Sequence, residues 1–148
     1  AICKAVVEQL AQIGIKAQLV ALPKAAHFQL IQNLKSDFYL LGWGVPTFDS
    51  HYILSHLYHT KTDRQGTWNG TRYSNPDVDN MIDSLTSEAD LVRRNETMVN
   101  IWRILQEETI YIPIHIQTMT YAMKPDLEIA VDISNQPKLK LMKVRKSN

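Results

Sequence analysis

The run Phe38–Trp43 constrains this chain more than any other segment: F-Y-L-L-G-W is short, almost wholly apolar, and stopped by the Gly42-Trp43-Gly44 corner. Such a run reads as a strand covered on both faces, which places helices on either side of a sheet. The residues before it complete that pattern. Ile2, Val6, Leu10 and Ile13 recur at helical spacing and Gly14 stops them. Ile15–Leu22 alternates as a strand, Pro23 suits the first turn of a second helix, and Phe28, Ile31 and Leu34 form that helix's buried stripe. The order α-β-α-β predicts an α/β fold with parallel strands and right-handed crossovers.

Downstream, Asn75-Pro76-Asp77 supplies an N-cap, a proline at the first helical position and an acid in the first turn, with Val78, Ile82 and Leu85 inward. Asp90 caps a further helix carrying Met98, Ile101, Trp102 and Leu105 and ending near Glu108. Ile110, Ile112, Ile114 and Ile116 alternate as a half-buried strand in which Pro113 favours an edge. Two weaker strand patterns follow, Leu127-Ile129-Val131 and Leu139-Leu141-Val144.

Bulk properties exclude several classes. At 148 residues the chain holds one sizeable core. A formal net charge of +1 gives no footprint for nucleic acid or an anionic membrane. The basic tail of Lys140, Lys143, Arg145 and Lys146 reads as solvated. The lone Cys3 excludes an internal disulfide and a cysteine metal cluster. The chain starts inside a helical pattern with no cap, which predicts a piece of a longer protein.

Gly44–Tyr73 has no clean period, and unpatterned stretches of that length are usually functional. Trp43 ends a strand where α/β sheets bind ligands, so it reads either as an aromatic ligand wall or as a core seal. Asp49 reads as a carboxylate for a cation or as a loop builder. His51, His56 and His59 are the set a metal hypothesis needs, but their spacing puts His56 off the face shared by the other two. Asn69-Gly70-Thr71 and Asn95-Glu96-Thr97 match a glycosylation pattern that is common by chance. No nucleophile elbow or phosphate-cradling loop is present, so the expected function is binding without catalysis or cofactor. Ile53, Leu54, Leu57 and Tyr58 read as a short helix.

The ordered set I-G-I-K-A-Q-L, D-F-Y-L-L-G-W-G, an Asp-x-x-x-x-Leu loop, R-Y-S-N-P-D-V-D-N-M-I, A-D-L-V-R-R and Q-E-E-T-I-Y-I-P-I closely resembles the family 5 extracellular solute-binding proteins of ABC importers. The resemblance covers residues 1–123 and, loosely, the tail. It implies a type II periplasmic-binding-protein-like lobe, incomplete here, with a mixed, mainly parallel sheet flanked by helices. Residues 1–123 would be a carboxy-terminal lobe, and 124–148 a tail crossing back toward an amino-terminal lobe. It implies capture of a peptide or similar small solute by closure of two lobes and delivery to membrane permease subunits. The location would be the periplasm, or the cell exterior through a membrane anchor. The implied ligand wall is Trp43, Gly44, Val45, Pro46, Thr47, Asp49 and His51. Peptide binders of the family place an Asp three residues after the Trp to pair with the ligand's amino group; Pro46 stands there instead, with Asp49 as a nearby substitute. The alternative is a metal-dependent hydrolase, or a metal- or haem-binding module, using Asp49, His51 and His59.

Overall fold

A computed structural model describes residues 1–132 and 136–145; Lys146 of the basic tail lies outside them. The chain divides into two units, Ala1–Tyr111 and a second beginning at Ile112.

The first unit is helical. Helix α1 spans Ile2–Gln12 and α2 spans Lys24–Gln32. Helix α3, Ser50–Ile53, runs on into a π-helical turn, Leu54–Tyr58. Helices α4, Pro76–Ser84, and α5, Leu91–Glu107, follow. The two helix starts read from sequence form as expected. Asn75 accepts hydrogen bonds from the Asp77 and Val78 amides, with Pro76 in the first helical turn, and Asp90 accepts from Val92 and Arg93. Pro23 sits one place earlier than its spacing suggested, at the N-cap of α2.

The core is built by the π turn, α4 and α5: Leu54, Leu57, Tyr58, Val78, Ile82, Leu85, Ile101 and Leu105 are buried together. Leu41, Trp43, Trp68, Tyr73, Trp102 and Tyr111 pack against it. Burial pushes the Tyr58 hydroxyl up to about 12. The carbonyls at the end of α2 are finished by two cations, Lys61 Nζ donating to Gln32 O at 2.6 Å and Arg72 Nη2 donating to Leu34 O.

The segments expected as strands behave differently. Ile15–Leu22 and Phe38–Trp43 carry neither helix nor ladder, and residues 15–22 are exposed throughout. A strand can satisfy its amides only through a neighbour, and among the described residues of this unit no ladder supplies one. The apolar stripe of α1 likewise contributes nothing buried.

In the second unit the weak tail patterns do pair. Strands β1, Leu127–Glu128, and β2, Lys143–Val144, run antiparallel with Leu127 opposite Val144 and Glu128 opposite Lys143. A bridge joins Val131 to Pro137. A small apolar hollow of about 100 Å³ is lined by Tyr121, Met123, Ile129, Val131, Pro137 and Leu139. Residues 112–116 form no ladder, and Ile116 is 97% exposed. No helix among the described residues is long and apolar enough to cross a membrane.

Candidate functional site

The corner after the apolar run is held by aromatic packing on one side and an ion pair on the other. Trp43 is half-buried, its ring centroid 6.0 Å from Tyr52, 6.0 Å from His56 and 6.1 Å from Trp68. Tyr52 and His56, one turn apart, stack at 4.5 Å. Phe28 continues the cluster, edge-on to Trp68 at 4.9 Å. Trp43 therefore has a sealing role, which the sequence left open. Its indole N–H is buried without a hydrogen-bond partner among the described residues, as are His51 Nε2 and His59 Nε2.

His56 is fixed by sequence-local chemistry. Its Nδ1 donates to Tyr52 O at 2.8 Å, so the hydrogen sits on that nitrogen, and the Ser55 hydroxyl donates to the same carbonyl at 3.2 Å. The π turn moves His59 out of the helical register, and the His59 amide donates to Leu54 O at 3.0 Å.

Beyond Trp43 the loop turns tightly. The Phe48 amide donates to Val45 O at 3.1 Å, and the Asp49 amide donates to Thr47 Oγ1 at 3.3 Å. Asp49 Oδ1 accepts from the His51 amide at 2.8 Å and so caps α3. The same carboxylate meets Arg94 of α5 in a fork: Nη1 lies 2.8 Å from Oδ2, and Nη2 donates to Oδ1 at 3.1 Å. Arg94 Nε donates to Leu85 O at 3.2 Å, so one guanidinium ties the loop to the end of α4. Arg94 holds the Asp49 carboxyl below the usual carboxylate range against the opposing effect of burial, with the His51 amide assisting. Burial lowers the His51 imidazole, and Asp49 opposes that shift.

These contacts change the reading of two expected residues. Asp49 already has a cation partner, so it is not a free carboxylate. Asp49, His51 and His59 do not assemble as metal ligands, and no three His, Cys, Asp or Glu side chains among the described residues converge to hold an ion. The reason is competition. Asp49 is taken by Arg94, while His59 Nδ1 donates to Thr60 O at 2.7 Å and lies 3.7 Å from Asp79 Oδ1, and His59 Nε2 lies 3.6 Å from Asp83 Oδ1.

Asn69 is also reassigned. It is 2% exposed, its Nδ2 donates to His59 O and Tyr73 O, and its Oδ1 accepts from the Thr71 hydroxyl and the Tyr73 amide. Its amide is a clamp closing the loop, not an acceptor for a glycan. Sequence reasoning missed Arg94, whose only signal was the A-D-L-V-R-R helix start. It also missed Tyr39, whose hydroxyl meets that of Tyr111 at 2.9 Å. Burial, with the Tyr39 hydrogen bond second, raises the Tyr111 hydroxyl far above its ordinary range. A separate hollow of about 460 Å³ on α5, lined by Val92, Asn95, Glu96, Val99, Asn100 and Arg103, shares no residue with this corner.

No family model matches the chain. Over 125 residues it is 26% identical to the glutathione-binding protein GsiB of Escherichia coli strain K12, and equally to GsiB of Shigella flexneri and of Shigella boydii serotype 4. The match covers 81% of this chain and 24% of each relative. The chain is thus similar to a glutathione-binding protein over most of its length, while spanning about a quarter of the relatives it matches.

Proposed function

We propose that this chain is one lobe of a solute-binding protein that serves an ABC importer and captures a peptide-like solute. The observation that carries this reading is the similarity to the GsiB proteins along 81% of the chain. The fixed loop at Trp43 supports it, because a binding wall needs a shape set before the ligand arrives. In this reading Trp43 and the stretch Gly44–Thr47, with Asp49 and His51 behind it, form one wall. A second lobe forms the other, and Ile15–Leu22 and Phe38–Trp43 become strands of a mixed, mainly parallel sheet. Ligand binding stabilises the closed form, which permease subunits recognise. The protein would work in the periplasm, or outside the cell on an anchor.

Calorimetry with glutathione and short peptides tests this on the longest natural polypeptide containing these residues and on the 148-residue chain alone. The expected result is micromolar binding by the longer protein and affinity weaker by about tenfold or more for this chain, a difference of about 1.4 kcal/mol. Equal affinity would sink the two-lobe mechanism, and no binding by either would sink capture of a peptide-like solute.

A further inference from the structure

The turn Val45–Asp49 carries a feature that the packing of this unit leaves unexplained. Phe48 adopts the left-handed conformation, φ 55°, and its side chain is 59% exposed. A bulky side chain is disfavoured there, and a ring in water gains little from burial. The strain is held from both sides. The Phe48 amide is tied to Val45 O, and Asp49 is gripped in the Arg94 fork. Strained residues fixed in this way are concentrated at functional positions.

The chemistry of the turn limits what it can meet. Val45, Pro46, Thr47 and Phe48 carry no charge, and the neighbouring Asp49 is neutralised by a guanidinium. A charged group arriving here would lose water and find no counter-charge, which is costly. An apolar group would cover the Phe48 ring and be favoured.

We infer that Phe48 is a specificity-determining contact for an uncharged, apolar side chain of the solute, and that Arg94 is the positioning residue that presents it through Asp49. The inference rests on the solute-binding reading above and deepens it. Asp49 then serves to aim the loop rather than to bind an amine.

The test is calorimetry on the longest natural polypeptide containing these residues, with the tripeptides Gly-Leu-Gly, Gly-Lys-Gly and Gly-Gly-Gly as probes. The native protein is expected to favour Gly-Leu-Gly over Gly-Lys-Gly by about tenfold. Phe48→Ser should bring that ratio close to one, with Tm unchanged. Arg94→Ala should reduce the ratio, and Arg94→Lys should restore part of it. A ratio that survives Phe48→Ser overturns the inference while leaving solute binding intact. A ratio that survives Arg94→Ala despite a lowered Tm shows Arg94 to be structural only and overturns its positioning role. Failure of all three probes to bind the native protein removes the peptide reading, and this inference with it.

Discussion

Two parts of the first unit have opposite fates, and the more apolar of them is the exposed one: six of the eight residues in Ile15–Leu22 are apolar. The π turn, α4 and α5 bury eight large side chains in one cluster. Ile15–Leu22 leaves Ile15, Leu19, Val20 and Leu22 exposed. The difference lies in the backbone. A helix satisfies its own amides and needs a neighbour only for its apolar stripe, so three short helical pieces can close a core locally. A strand needs a partner for its amides as well as for its side chains. Apolar content therefore does not decide which segments of this chain are buried; the source of their hydrogen bonds does.

The contrast breaks most easily in the core. Ile82 is fully buried, and Ile82→Ala should cost about 3 kcal/mol in chemical denaturation. Val20→Ala in the same chain should stay within about 0.5 kcal/mol. Comparable losses at the two sites would show that residues 15–22 are packed, and the contrast would fail. If those residues become a paired strand in a longer protein, the cost of Val20→Ala should rise there and the cost of Ile82→Ala should not.

A glycine pair sharpens the comparison along the apolar run. A Cβ at Gly70 would lie 2.6 Å from Ile31 Cγ2 and 2.8 Å from the Tyr39 hydroxyl, whereas one at Gly42 would meet nothing within 4 Å. Gly70→Ala should cost about 2 kcal/mol, and Gly42→Ala should stay within about 0.5 kcal/mol. Tyr39 is thus the point where the run is pinned: its hydroxyl reaches Tyr111, and the next carbonyl, of Leu40, lies 3.0 Å from His27 Nε2. A neutral Gly70→Ala would mean that the run is as loose as residues 15–22.

The Asp49–Arg94 fork is a smaller effect, because the Asp49 side chain remains 37% exposed and is screened. Arg94→Ala should cost about 1 kcal/mol. The pH dependence has a definite sign. The Asp49 carboxyl is held below its unfolded value, so its contribution is complete above the ordinary carboxylate range and is lost as pH falls from there through the lowered folded value. His51, lowered chiefly by burial, contributes stability that is lost as pH falls through the ordinary imidazole range. Denaturation midpoints across pH should therefore show Asp49→Asn with a shallower loss in the carboxylate range, and His51→Gln with a shallower loss in the imidazole range. A native-like acid limb in Asp49→Asn would show that the fork contributes nothing.

What sequence could reveal follows the range of each interaction. The caps at Asn75 and Asp90 were legible because a cap and its amides lie within three residues. The Asp49–Arg94 fork spans 45 positions and the Tyr39–Tyr111 contact 72, and no periodicity encodes either. The π turn is legible only as a short helix, since Leu54, Leu57 and Tyr58 are buried in it but their spacing does not distinguish it from an α-helical turn. Asn69-Gly70-Thr71 shows the converse. Its pattern was visible, but a glycan acceptor and a buried clamp share the same three letters, and burial alone separates them. Within the candidate site, Trp43 and the loop were legible, while the partner that fixes the loop was not.

The smallest predicted effect tests how the helices end. After α1, α2 and α5 the second residue beyond the helix turns left-handed: Gly14 at φ 83°, Leu34 at φ 56° and Thr109 at φ 51°. At α1 the next amide, Ile15, donates back to Leu10 O, and at α2 Lys35 donates to Leu30 O, the Schellman arrangement that satisfies a trailing carbonyl. Glycine adopts this conformation freely, while a β-branched residue is strained in it. Thr109 is exposed, and its hydroxyl makes only a long 3.4 Å contact to Gln106 O, so little packing opposes its removal. Thr109→Gly relieves about 1–2 kcal/mol of strain and gives back about 0.4–1 kcal/mol through a freer unfolded chain, a net gain of about 0.5 kcal/mol. Leu34→Gly should not gain, because Leu34 is half-buried and the same relief is offset by lost burial. A rise in denaturation midpoint for Thr109→Gly alone would show that α5, the helix carrying Arg94, ends under a strain that the core tolerates.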